Sequence, residues 1–146
     1  MKKIIIAVLA LLSVNIASAQ FQVQQKQSMP EVIWRSAMGG HNKLYRMEVE
    51  NGEYYYFIGI STTNQFDDKM LIHLGKKDKA ITTLTQFYDL YAQGEIYELA
   101  DDKGEKFSAQ CIAMKYYRLL KRGYAGYGTI HLNQLLNMRD AINGVY

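Results

Sequence analysis

The chain has one cysteine, Cys111, and one proline, Pro30. A single thiol excludes an internal disulfide, so a small exported domain of this kind has to be held by packing alone. The scarcity of proline and the lack of any low-complexity stretch exclude linker-like segments and predict order through most of the chain. No apolar run after Leu12 approaches the roughly 20 residues that cross a bilayer, so no membrane insertion is expected of the body. Neither sign of charge dominates, and no Gly-Lys-Ser/Thr phosphate loop occurs.

The first residues do carry a signal. Lys2 and Lys3 precede the apolar run Ile4 to Leu12, and Ala17-Ser18-Ala19 supplies small residues before Gln20. That order is the pattern of a cleavable secretory leader over residues 1–19. Residues 20–146 are then a single domain whose expected location is periplasmic or secreted. No cysteine lies near the cut, which argues against a lipid anchor. The leader holds two of the 17 basic residues and none of the 14 acidic ones, so the body is close to neutral. It offers no general field for nucleic acid.

The hydrophobic pattern predicts an α+β fold, an antiparallel sheet with two main helices packed on one face. Asn51-Gly52 lies between the β-like runs 44–50 and 53–60, and a two-residue type I′ turn is expected there. Such a turn would place Tyr45, Met47 and Val49 opposite Ile58, Tyr56 and Tyr54 on the core face. A third strand follows at 69–74. Asp78 is a candidate N-cap, and Ile81, Leu84, Phe87, Tyr88 and Tyr91 recur at helical spacing before Gly94. Strands are expected again at 95–100, 106–114 and 116–121, with a helix over 132–142. Residues 30–40 suggest a short helix or strand, and the Gln-rich stretch 20–28 an arm or an edge strand. The order suggests a strand-strand-strand-helix unit used twice, over 41–94 and 95–146. Tyr45, Gly52, Glu53 and Leu84 meet identical residues 52 positions on, at Tyr97, Gly104, Glu105 and Leu136.

Few residues suggest chemistry. Cys111 alternates with Phe107, Ala109 and Ala113 on one strand face and reads as a small core residue. A cysteine-dependent hydrolase would need it exposed beside His41, His73 or His131. Those histidines show no metal-ligand spacing, and neither metal nor cofactor is expected. Asp67-Asp68 and Asp101-Asp102 read as turn residues. The most unusual segment is Arg122-Gly123-Tyr124-Ala125-Gly126-Tyr127-Gly128-Thr129. Its glycines do not follow the dinucleotide pattern, but Tyr124 and Tyr127 can present amphipathic rings at low entropy cost, with Arg122 beside them. Tyr55, across the hairpin from the expected core face, is a fourth candidate. These four residues point to a non-catalytic binding module for a protein or glycan partner. The alternatives are the cysteine hydrolase and an assembly component that docks through a sheet edge.

Overall fold

The computed structural model describes residues 29–37, 41–64 and 69–144. The expected leader, the Gln-rich segment 20–28 and Asp67-Asp68 lie outside them. Four strands come first: β1 (Glu31–Arg35), β2 (Asn42–Glu48), β3 (Tyr54–Ile60) and β4 (Met70–Lys76), followed by α1 (Lys77–Leu90). Then come β5 (Ile96–Ala100), β6 (Lys106–Ile112), β7 (Tyr116–Lys121) and β8 (Gly128–His131), followed by α2 (Leu132–Ile142). The fold is α+β, as the pattern predicts, but the strands form two antiparallel four-stranded sheets, ordered β1-β2-β3-β4 and β5-β6-β7-β8.

The three-strand repeat does not appear in the form expected. β8 lies in what the sequence reads as loop, and β1 joins the first sheet from before residue 41. Gly52 closes the hairpin between the second and third strands of its sheet, whereas Gly104 lies between the first and second strands of the other. The Tyr, Gly and Glu identities 52 residues apart therefore match positions that are not equivalent in strand order, while Leu84 and Leu136 both lie in the helix that follows a sheet.

The β2–β3 hairpin corrects the expected register. Its loop is three residues, a 3-10 turn over Glu50–Gly52, with Val49 N donating to Glu53 O at 2.8 Å. Asn51 and Gly52 both take positive φ, 58° and 75°, which Asn and Gly tolerate best. One extra loop residue shifts the pairing by one and inverts a whole strand face. Glu48 faces Tyr54, Arg46 faces Tyr56 and Leu44 faces Ile58. Leu44 is therefore the fully buried β2 residue, and Tyr45 stacks on Phe57 at 5.0 Å on the other face. A similar short turn, Ala113–Lys115, takes Ala113 off the β6 face where alternation had put it.

One core is shared by both sheets and both helices. Leu44, Ile58, Ile60, Met70 and Leu74 enter it from the first sheet, and Ala109, Cys111, Tyr117, Leu119 and Ile130 from the second. Ala80, Leu84 and Phe87 face it from α1, and Leu135, Met138 and Ala141 from α2. Tyr117 connects helix to sheet: its ring stacks on Phe87 at 4.2 Å and its hydroxyl donates to Phe87 O at 2.7 Å. Helix α1 starts two residues before the expected cap, at N-cap Lys76, and Asp78 sits in its first turn, where a negative charge suits the helix dipole.

The sheets are also joined by ions at one end. The Lys121 side chain, 6% exposed, reaches Leu71 O in β4 at 2.5 Å and Glu105 Oε1 at 2.5 Å. Asp101 Oδ2, fully buried, lies 3.6 Å from the same ammonium and accepts from His73 N at 3.0 Å. Asp101 Oδ1 accepts from the Lys103 and Glu105 amides. Burial raises the Asp101 pKa, but the His73 and Glu105 amides, Lys121 and the Lys103 amide together hold it below the usual carboxylate value. The group is thus ionised when folded and takes up a proton more readily when unfolded. Its stabilisation is present at neutral pH and is lost as pH falls below about 4. Asp101→Asn should cost about 3 kcal/mol in denaturant unfolding at pH 7, with the gap to wild type closing in acid. A loss under about 0.5 kcal/mol, the range of ordinary surface changes, would contradict the role given to this carboxylate.

Candidate functional site

At the other junction the backbones of the two halves meet. A Cβ on Gly128 would lie 2.4 Å from Ile60 Cγ2 and 3.1 Å from Ser61 O, and one on Gly126 2.2 Å from Thr63 Oγ1. No real side chain fits either space, so glycine is what lets residues 126–128 lie against 60–64. Thr63 then binds Tyr127 twice: Thr63 N donates to Tyr127 O at 2.8 Å, and Tyr127 N donates to Thr63 Oγ1 at 3.1 Å. The Arg118 guanidinium lies over the Tyr127 ring, 4.5 Å from its centroid. Tyr127 is held by three contacts, two from Thr63 to its backbone and one from Arg118 to its ring, and its segment is a clamp between the sheets.

A cleft of about 380 Å³ opens at this seam. One wall comes from the first half: Ser36, Ala37, His41, Asn42 and Ser61 to Thr63. The other is Tyr116 and Thr129 of the second sheet, Tyr127 just before β8, and Gln134 of α2. Asn42, 5% exposed, ties the walls together. Its Nδ2 donates to Thr129 O and to Gln134 Oε1, both at 2.9 Å, while its amide donates to Ser36 Oγ at 3.1 Å. Gln134 Oε1 also accepts from His131 N, and His131 Nδ1 accepts from Asn133 N, which completes a capping box on α2. The Tyr116 ring meets His131 edge-on at 4.8 Å.

The lining contains hydroxyls, amides, two tyrosines and one imidazole, and among the described residues it contains no carboxylate and no thiol. Two groups at or near the lining that could move protons have structural duties. Ser61 Oγ donates to the backbone carbonyl of His41 at 2.9 Å, and the His131 nitrogen caps a helix. Cys111, the thiol of a hydrolase reading, is 2% exposed inside the shared core. The arrangement can hold a polar molecule by stacking and hydrogen bonding.

Of the four residues singled out from the sequence, Tyr127 lines the cleft and Tyr124, Arg122 and Tyr55 do not. Tyr124 packs against the core, and Arg122 is exposed. Tyr55 belongs to the ionic junction, where its hydroxyl donates to Asp102 Oδ2 at 3.0 Å. Burial first, and then that carboxylate, raise its pKa well above the usual phenol value. Asn42, Thr63 and Gln134 were not anticipated. The one available signal was Gln134 three residues after His131, at capping-box spacing.

His73, Asp101 and Glu105 offer ligand atoms within 4.8 Å of one another. The Lys121 ammonium already lies among them and supplies the positive charge, so a divalent ion would enter only with Lys121 displaced. Burial lowers the His73 pKa, with Lys103 adding to it, and its buried Nδ1 has no hydrogen-bond partner among the described residues. No helix among the described residues is long and apolar enough to cross a membrane. The chain matches no known family model, no curated protein and no solved structure.

Gly128→Ala tests the seam. The added methyl has to displace Ile60 or part the sheets, at a cost of about 1–3 kcal/mol. Gly123→Ala, where a Cβ meets nothing within 4 Å but φ is 96°, serves as the control for strain without collision. A loss under about 0.5 kcal/mol for Gly128→Ala in chemical denaturation would show that close approach is not what Gly128 provides.

Proposed function

We propose that the protein is an exported, non-catalytic binding module whose cleft takes the end of a glycan. The observation that carries this reading is Tyr127 in the lining of a polar cleft, its backbone tied to Thr63 and its ring covered on one face by Arg118. A ring already immobilised loses little entropy when a ligand stacks on it. The size favours a small ligand over a protein surface: the volume is at the low end of small-molecule sites, which run about 300–1,000 Å³. The amides and hydroxyls around the ring match the chemistry of a sugar, which presents an apolar face and a hydroxyl rim. Export is supported by the order of residues 1–19.

The test is ligand-observed NMR against a panel of methyl glycosides, on protein recovered from the cell envelope. The mature mass should begin at Gln20. Tyr127→Ala should weaken binding about tenfold or more, as loss of an aromatic anchor does, whereas Tyr127→Phe keeps the ring and most of the affinity. Arg122→Ala should change nothing. Binding that survives Tyr127→Ala unaltered would reject this cleft as the site.

A further inference from the structure

We infer that the saccharide is acidic, of the uronic-acid type, with its carboxylate meeting Lys69 and its ring lying on Tyr127. The inference rests on the binding reading above and adds the charge of the ligand to it.

Lys69 is built into the cleft edge. A Cβ at Gly59 would come within 2.9 Å of Tyr45 Cε2 and 3.1 Å of Lys69 Cδ. The aliphatic stem of Lys69 therefore crosses β3 at the one β3 position without a side chain, next to the Tyr45 ring. This delivers Nζ to two cleft residues: it donates to Ser61 Oγ at 2.8 Å and to His41 O at 3.1 Å. Both acceptors are neutral. Among the described residues Lys69 forms no ion pair, and neither do Lys43 and Arg118. Burial lowers the Lys69 pKa, and Lys43 lowers it further. Among the described residues, that combination is a cation held without a counter-charge, beside a lining in which they place no Asp or Glu. Arg118 adds positive charge behind the stacking ring, and its buried Nε has no hydrogen-bond partner among the described residues.

An anion entering here would meet an ammonium already aimed, serine and threonine donors beside it, and no repelling carboxylate among the described lining residues. A neutral sugar would gain the stacking but would leave Lys69 as it is. Charge-assisted hydrogen bonds are about twice as strong as neutral ones, so charge should decide between sugars of one shape.

The experiment compares isosteric pairs, methyl glucuronide with methyl glucoside and methyl galacturonide with methyl galactoside, by chemical-shift titration of the intact protein at low salt. The uronide of at least one pair should bind about tenfold tighter, and added salt should erode the difference. Lys69→Gln should bring the pair together, and Lys69→Arg should restore part of the preference. If the neutral glycosides bind as well as the acidic ones, or if Lys69→Gln leaves the preference intact, the acidic assignment fails while the binding reading stands. If no glycoside of either kind shifts the Tyr127 and Thr63 resonances, the binding reading fails and takes this inference with it.

Discussion

The structure depends on how closely two sheets can approach at one point. Where Gly128 meets Ile60 there is no room for a methyl group, and the separation of the sheets is set by backbone and one isoleucine. The pair of hydrogen bonds between Thr63 and Tyr127 is possible only at that separation, and the cleft walls follow from it. Moving either sheet outward by a carbon's width would break the Thr63 clamp, release the Tyr127 ring and open the cleft to solvent.

The rest of the molecule reads as what holds this contact in place. Behind it lies a continuous apolar core drawn from both sheets and both helices, whose burial supplies the bulk of the stability. At the far junction Lys121 and Asp101 lock the turn after β5 onto the edge of β4. A buried ion pair of that kind adds little net stability compared with apolar packing. It does leave one arrangement in which every charge is met, and in this fold that favours a single docking of the second sheet on the first. It also occupies the edge of β4 with hydrogen bonds, which an edge strand otherwise leaves open. At the near junction, Asn42 and Gln134 do the same with neutral groups, so among the described residues the cleft is polar without a charged carboxylate or ammonium in its lining.

Much of the fold is legible in the sequence, and the parts that are not have identifiable causes. The α+β class, both helices and most strands follow from apolar spacing. The β2 register does not, because Asn-Gly fits either a two-residue turn or a longer turn with left-handed residues, and the choice between them inverts a face. Strand β8 is four residues long, and its two glycine-flanked neighbours read as loop, so no periodicity could reveal it. The glycines of 122–129 do not follow the dinucleotide pattern, and two of them, Gly126 and Gly128, allow close approach to residues more than 60 positions away. Tyr127 could be singled out as an amphipathic ring in an unusual segment. Its partners Thr63, Asn42 and Gln134 could not, because their roles exist only once the two halves are docked. Cys111 was correctly placed on an apolar face, since small-residue alternation is a local property.

The claim on which the account turns is that the Tyr127 segment is a rigid clamp between the sheets and not a mobile connection. Amide hydrogen exchange resolves the two directly. The Thr63 and Tyr127 amides should exchange as slowly as those of central strands such as β3 and β6, while Arg122 and Gly123, a few residues away, exchange fast. Rapid exchange at Thr63 and Tyr127, matching their neighbours at 122 and 123, would mean that the sheets part readily at this point and would contradict the account.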